Sequence, residues 1–218
     1  MDYLRFYREF LRNKRNVGSL VPSSENIAHA LVYPLERALS APDVASLPAL
    51  HILEVGPGPG PVTKHILPLL RPQDRLTLVE LNPKFCQMLR ARHAGEILQG
   101  RVSVFEGTIE SYSSPRMFDF VITTLPFNNF RPEEVSSIFD KLFSLTSVSG
   151  ALTYLEYIGL RGIVSVFSSP QTRARVKAVA RVYAEHIEPF IVSRDVIIVN
   201  FPPAIVYELK PHRKKVMK

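Results

Sequence analysis

The sequence predicts a doubly wound, Rossmann-like α/β fold with a seven-stranded sheet, an antiparallel terminal strand and N-terminal helices. From residue 51 onwards, apolar segments of strand length alternate with amphipathic segments of helix length. This alternation is typical of parallel strands joined by crossover helices. Near the end, segments 196–200 and 204–209 bracket Phe201-Pro202-Pro203, which indicates two antiparallel strands around a short stiff turn.

Residues 2–15 predict an amphipathic helix with an aromatic face and an arginine-rich face. At about 100° per residue, aromatic and leucine side chains fill one continuous face, and arginines fill much of the opposite one. This pattern is typical of a helix lying in the plane of a membrane interface, and it fits equally a helix docked on its own domain. On the membrane hypothesis, the contacting residues are Tyr3, Leu4, Phe6, Tyr7, Arg8, Phe10, Leu11 and Arg12.

A second N-terminal helix is expected after a turn-rich linker over residues 16–24. Ser23 or Ser24 can cap this helix, because serine side chains accept hydrogen bonds from the free N–H groups of a first helical turn. The helix should end near residue 39, and Pro34 within it predicts a kink or a break. We therefore predict an N-terminal unit over 1–40 and the main domain over 41–218.

The most informative segment is the predicted strand His51–Val55 with the loop that follows it. Three glycines stand at every second position of this loop, Gly56, Gly58 and Gly60. Glycine lets the backbone turn sharply and approach a ligand with no Cβ in the way. Pro61 follows where a helix can begin, and we expect the free N–H groups of that helix to face the ligand.

The carboxylate that ends the next strand points to a nucleotide-like ligand. Glu80 ends the strand 75–80 and lies 20 residues beyond Gly60, a spacing at which an acidic residue can bind ribose hydroxyls. The spacing fits dinucleotides as well as S-adenosylmethionine (SAM). The segment Glu54-Val55-Gly56-Pro57-Gly58-Pro59-Gly60 resembles motif I of class I methyltransferases, E/D-x-G-x-G-x-G, and this favours SAM.

The remaining elements repeat the alternation. Predicted helices lie near 61–70, 83–93, 132–145 and 171–187, and predicted strands at 101–105, 118–124 and 151–157. The helix over 171–187 carries four basic residues, which form either a solvated face or a patch that faces lipid or substrate. They are Arg173, Arg175, Lys177 and Arg181.

Composition and charge narrow the class of protein. The chain has 218 residues and one cysteine, which excludes a disulfide framework and a cysteine-based zinc site. Its net charge of +7 favours an anionic partner, either lipid headgroups or nucleic acid. No apolar run approaches the ~20 residues of a membrane span, and no signal peptide is recognisable, so we expect a cytoplasmic protein.

Four segments together resemble the bacterial phospholipid N-methyltransferase family, the soluble type that methylates phosphatidylethanolamine. Residues 16–24 are similar to its V-G-A-x-x-P-S-S linker, and Glu54 to Gly58 to its E-x-G-P-G motif. Thr124 to Phe127 resembles G-L-P-L, and Asn200 to Ala204 resembles N-x-P-P-A. Pro59 departs from the family pattern, because it offers no N–H or hydroxyl to the SAM carboxylate.

The resemblance implies which residues hold SAM. Glu80 would bind the ribose hydroxyls and Glu54 the SAM amine, while Ser23 and Ser24 either close over the SAM carboxylate or only cap their helix. The full set of expected cofactor-binding residues is Ser23, Ser24, Glu54, Gly56, Gly58, Gly60, Glu80, Leu81, Gly107 and Thr108.

The acceptor amine is expected at the carboxyl ends of the fourth and fifth strands, beside the cofactor. An aromatic cage there suits a substrate that gains positive charge on methylation, although ordinary core packing is the simpler alternative for the tyrosines. No histidine sits in a motif that marks a general base, and no metal is expected. The candidate substrate-contacting residues are Thr124, Leu125, Pro126, Phe127, Tyr154, Glu156 and Tyr157.

Three functions remain open at this point. The first is methylation of phosphatidylethanolamine at an anionic membrane surface, by a peripheral protein on the inner face of the cell membrane and with no nucleic-acid partner. The second is methylation of RNA or a small molecule on the same fold. Thr124 counts against RNA, because the related rRNA adenine dimethyltransferases have an asparagine there, in an N-L-P-Y motif that holds the flipped base. The third is a non-catalytic protein that binds membrane.

Overall fold

A mixed seven-stranded sheet forms the centre of the molecule, in a computed structural model that describes residues 24–46, 48–127, 130–157, 178–199 and 203–212. The strand order is β3-β2-β1-β4-β5-β7-β6. Strands β1 to β5 are parallel, and β7 runs antiparallel to both β5 and β6. This confirms the predicted fold class. The strands are β1 (His51–Val55), β2 (Arg75–Glu80), β3 (Val102–Glu106), β4 (Phe118–Thr123), β5 (Thr146–Tyr157), β6 (Ile191–Ile197) and β7 (Ala204–Leu209).

Helices cover both faces of the sheet, so the molecule has three layers. Five α-helices have both ends within the described residues: α1 (Ser24–Leu39), α2 (Thr63–Ile66), α3 (Pro83–Arg92), α4 (Ala94–Leu98) and α5 (Pro132–Leu145). Helices α1 to α4 pack on one face, in a core with Ile52, Leu76 and Ile122. Helix α5 packs on the other face with the helical residues 178–187, around Leu53 and Val121. The two cores alternate along β1 and β2, as a pleated backbone requires, and the alternation shifts in β4 and β6, where the register is irregular after Phe118 and Ile191.

Helix α1 runs unbroken through Pro34, so of the two alternatives predicted at this residue, a kink or a break, the break is wrong. Two features hold the helix together there. Its apolar face, with Leu31 and Leu35, is buried in the core. In addition, Thr153 Oγ1 on β5 donates a hydrogen bond of 2.8 Å to the carbonyl of Leu31. This carbonyl lies three residues before Pro34, in the turn where a proline loosens helical bonding.

Replacing Thr153 with valine should therefore lower the free energy of unfolding by about 1 kcal/mol, the usual net value of one buried hydrogen bond. Urea denaturation measures it. Thr77→Val is the matched control, because Thr77 Oγ1 pairs with Ser103 Oγ at an exposed position on β2. Equal losses in the two variants would contradict a special role for the contact between β5 and α1.

Several predicted boundaries differ from the structure. The helix expected near 61–70 is only the four residues of α2, followed by a 3-10 turn at Leu67–Leu69. It starts late because Pro61 lies in a turn, and it ends early because Pro68 lacks the N–H that a continued α-helix needs. Strand β5 begins at Thr146, earlier than expected, since Thr146 already pairs with Phe118. Its polar start, Ser147 to Gly150, resembles a loop in sequence.

Some predictions fall outside the described residues. These include the amphipathic helix over 2–15 and three of the four basic residues of segment 171–187. The fourth, Arg181, is exposed and lies 3.4 Å from Glu185, one helical turn further on. No helix within the described ranges combines the length and the apolar character needed to cross a membrane.

Candidate active site

The candidate site lies where the parallel strands end. Strands β1, β2, β3 and β4 run in the same direction, so the loops after them meet at one edge of the sheet, hereafter the carboxyl edge. A cavity at this edge is lined by residues from all four of these loops or strand ends. They are Val55, Gly56, Val79, Glu80, Leu81, Gly107, Thr108, Ile109 and Leu125. Five of the expected cofactor residues and one expected substrate residue therefore share one cavity.

The glycine loop has the backbone conformation that its sequence predicted. Gly56, Gly58 and Gly60 have φ of +74°, +58° and +92°. These values lie in the left-handed region, which side chains other than hydrogen rarely allow. A Cβ on Gly56 would also come within 3.0 Å of Leu125 Cδ2, whereas a Cβ on Gly58 would meet no atom of the described residues within 4 Å. Gly58 therefore exposes its backbone to open space, where a ligand can approach it.

Glu80 holds the loop in place from the end of β2. Its Oε2 accepts a hydrogen bond of 2.9 Å from the N–H of Gly58, and its Oε1 accepts one of 2.7 Å from the N–H of Asn82. The side chain is almost fully buried. The side chain also lines the cavity at the end of β2, where an acid can bind ribose hydroxyls. Glu80 thus both holds the glycine loop and lines the cavity.

Glu54 is a buried acid with an unsatisfied oxygen. It is 0% exposed, on β1 directly before the glycine loop. Thr63 Oγ1 at the start of α2 donates a hydrogen bond of 2.6 Å to Oε2, while Oε1 has no hydrogen-bond partner in the described structure. The pKa of Glu54 is raised to about 8, chiefly by burial; the hydrogen bonds from Thr63 lower it, and the nearby charge of Glu80 raises it. Glu54 is therefore mostly protonated at neutral pH.

These features fit SAM. Its ammonium group would supply the cation and the donor that Glu54 Oε1 lacks, and its ribose hydroxyls would match the acid at the end of β2. The left-handed glycines would form the floor under the methionine part. Pro59 donates no N–H there, and its carbonyl accepts a hydrogen bond of 2.6 Å from Arg92 Nη1. When bound, SAM supplies an electrophilic methyl group on a sulfonium.

The segment after β4 is tied to the glycine loop. Thr124 N donates to the carbonyl of Val55, and Thr124 Oγ1 donates a hydrogen bond of 2.6 Å to the carbonyl of Gly56. Leu125 then lines the cavity, and Pro126 is partly buried beside it. Phe127 turns inward, with ring contacts to Phe130, Phe139 and Tyr154. Thr124 and Leu125 are thus the members of this segment nearest the cofactor cavity.

The three candidates on β5 do not share one face of the sheet. Tyr154 is 1% exposed and stacks on Tyr207, with ring centroids 4.8 Å apart, in the core beside α5. Glu156 has the same parity as Tyr154, whereas Tyr157 packs against the opposite core. Burial raises the pKa of Tyr157. Glu156 and Tyr157 lie at the end of β5, at the carboxyl edge. Tyr154 lies two residues before Glu156, further from this edge.

The structure adds cavity residues that sequence reasoning missed and leaves others undescribed. Val55, Val79 and Ile109 line the cavity. Ile109 has a recognisable signal, since it is the first apolar residue after the Gly107-Thr108 turn that ends β3. Ser23 and the side chain of Ser24 lie outside the described residues.

The fold and the site together define a class I, SAM-dependent methyltransferase. Residues 52–150 match a family model described as a methyltransferase domain, and these residues contain the glycine loop, Glu80 and the segment after β4. An O-methyltransferase from Bacillus cereus, solved with S-adenosylhomocysteine (SAH), has a TM-score of 0.60 to this chain at 18% identity, over 94% of this chain and 90% of its own. This likeness supports the fold.

Two curated proteins are similar in sequence. An ornithine lipid N-methyltransferase from Singulisphaera acidiphila is 26% identical over 160 residues, covering 71% of this chain and 77% of that protein. A probable ribosomal RNA small subunit methyltransferase A from Haloarcula marismortui is 34% identical over 83 residues, covering 38% of this chain and 28% of that protein. The first similarity extends over most of both chains, and the second over a smaller part of each.

Proposed function

We propose that this protein transfers a methyl group from SAM to the amine of a lipid headgroup at a membrane surface. The observation that carries this proposal is the similarity to a lipid N-methyltransferase over 71% of the chain. The linker over 16–24 and the Asn200 to Ala204 turn, both similar to segments of phospholipid N-methyltransferases, support it. Phosphatidylethanolamine is the proposed acceptor, and ornithine lipid is the lipid named for the relative; both present an amine.

Methyl transfer from SAM needs few catalytic side chains, because the enzyme mainly positions the two reactants. Methyl transfer is an in-line displacement, and the enzyme must hold a deprotonated nitrogen about 3–3.5 Å from the methyl group with water excluded. Leu125 and Thr124 stand between the cofactor cavity and the end of β5, and Glu156 and Tyr157 stand at that end. We infer that the amine enters between these two groups of residues, with Glu156 as the acid closest to an incoming ammonium.

An exposed apolar hairpin at the same edge supports interfacial action. Ala204 pairs with both Tyr157 and Ile197, so the turn between β6 and β7 begins level with the end of β5. This turn and its approach expose three aliphatic side chains, Val196 (58%), Ile198 (76%) and Val199 (74%). Exposed apolar groups beside a substrate entrance suit contact with lipid, and the net charge of +7 suits an anionic surface.

The test is methyl transfer from labelled SAM to vesicles containing phosphatidylethanolamine, ornithine lipid or phosphatidylglycerol alone, beside a ribosomal RNA sample. Label in an amine-bearing lipid, and none in phosphatidylglycerol, is the expected result. Label in RNA only would overturn the lipid proposal and favour the function named for the Haloarcula relative. No acceptor labelled while SAH still binds would also contradict it.

The double variant Ile198→Asp/Val199→Asp should reduce lipid methylation by about 100-fold or more, because two aliphatic side chains that leave water are worth about 1.5–3 kcal/mol each. SAH affinity should stay unchanged, and vesicle co-sedimentation should fall in parallel. Val148→Asp is the matched control, since Val148 is 76% exposed but lies near the start of β5, towards the opposite edge of the sheet. Equal losses in both variants would argue against a docking role for the hairpin.

A further inference from the structure

Three metal-ligating side chains meet at the junction of α1 and α2. Glu25 and His29 are four residues apart, so they lie on the same face of α1, and His65 faces them from α2. The rings of His29 and His65 are 4.6 Å apart between centroids, and His65 Nε2 lies 3.3 Å from Glu25 Oε2. One ligand atom from each residue can be chosen so that all three lie within 4.8 Å of one another.

The donor set matches zinc. Two imidazole nitrogens and one carboxylate oxygen are preferred Zn²⁺ ligands, and at Zn–N and Zn–O distances near 2.0–2.2 Å the donors of a tetrahedral site lie about 3.3 Å apart. The side chains of Glu25 and His29 are exposed, so small rotations can shorten the distances between ligand atoms from the observed limit of 4.8 Å to this value. His65 is more enclosed, and its Nε2 is buried and makes no hydrogen bond to the described residues, although Glu25 Oε2 lies 3.3 Å away. A metal ion would stabilise this nitrogen, because a buried polar atom that makes no hydrogen bond costs free energy.

We propose that Glu25, His29 and His65 form a zinc site with a fourth position open to water. Lys64 competes with the metal, because its ammonium group pairs with the Glu25 carboxylate. The site joins the first turn of α1 to the helix that follows the glycine loop, so a bound ion strengthens a junction that hydrophobic packing and the ion pair of Lys64 with Glu25 already form. Its role is structural, and it stands independently of the acceptor proposed above.

Zinc binding is tested with tag-free, full-length protein by calorimetric titration with Zn²⁺ and by thermal unfolding with Zn²⁺ or Mg²⁺. We expect one Zn²⁺ per chain and a higher Tm with Zn²⁺ only, since Mg²⁺ prefers all-oxygen octahedral sites. Glu25→Gln, His29→Gln and His65→Gln should each weaken Zn²⁺ binding at least tenfold, because each removes a ligand.

Two controls separate this site from chance binding. His51→Gln should bind Zn²⁺ like the unaltered protein, because His51 begins β1 at the opposite edge of the sheet. Lys64→Met should tighten binding, because it frees the Glu25 carboxylate from its ion pair. If Zn²⁺ fails to bind, or binds His29→Gln and His65→Gln as well as the unaltered protein, the proposed site is refuted.

Discussion

SAM affinity should rise about tenfold per pH unit between pH 5.5 and 7.5, and Glu54→Gln should abolish this dependence. Burial keeps the pKa of Glu54 at about 8 in the free protein, so the acid is protonated throughout this range. The cation of SAM beside Oε1 lowers that pKa, and binding therefore releases one proton. At pH 7.5 the glutamine variant should bind SAM about 100-fold more weakly, because it offers no negative charge to the ammonium group. Calorimetry in buffers of different ionisation enthalpy measures both the affinity and the proton release.

A ligand without the amine provides the control. Methylthioadenosine keeps the adenosine part of SAM, and its affinity should depend little on pH and on the Glu54→Gln substitution. The free protein gives a second signature. Because the folded-state pKa lies above the ordinary value of 4.5, the folded state binds the extra proton, and stability falls as pH rises from about 4.5 to 8. Glu54→Gln should therefore raise Tm at pH 8. A flat affinity profile in the unaltered protein would contradict the assignment of Glu54.

Gly58→Ala should weaken SAM binding about 10- to 100-fold, whereas Gly100→Ala should leave it unchanged. Both glycines have left-handed φ, +58° and +68°, and within the part of the chain that the structure describes a Cβ on either would meet no atom within 4 Å. The two substitutions therefore carry the same backbone cost, about 1–2 kcal/mol in stability. Only Gly58 lies in the loop at the carboxyl edge, where the added methyl group would occupy the space left for the ligand.

The comparison needs two measurements, SAH affinity by calorimetry and the free energy of unfolding by urea denaturation. We expect equal losses of stability in the two variants and a loss of affinity in Gly58→Ala alone. If Gly58→Ala loses stability but binds SAH normally, Gly58 is a turn residue only and the floor of the cofactor site lies elsewhere. If Gly100→Ala also loses affinity, backbone strain rather than ligand contact explains the effect.

Much of the site was predictable because its requirements are local. The left-handed loop needs glycine at particular positions, and the sequence places Gly56, Gly58 and Gly60 there. The period-2 alternation of apolar residues marks the strands, so Glu80 could be placed at the end of β2. The Phe201-Pro202-Pro203 turn marks the terminal hairpin, and both of its strands are observed, with β6 starting earlier than expected. The direction of parallel strands then brings the loops to one edge.

The sequence by itself determined the fold class, the cofactor loop and the acid beside it, because these depend on glycine conformation, periodicity and spacing along the chain. Only the tertiary structure decided which groups are buried and which distant residues meet. It left an oxygen of Glu54 without a hydrogen-bond partner among the described residues, turned Phe127 and Tyr154 into the core, and brought His65 to the face of α1 that carries His29. Such contacts depend on how helices pack across the sheet, and that packing joins residues far apart in the chain.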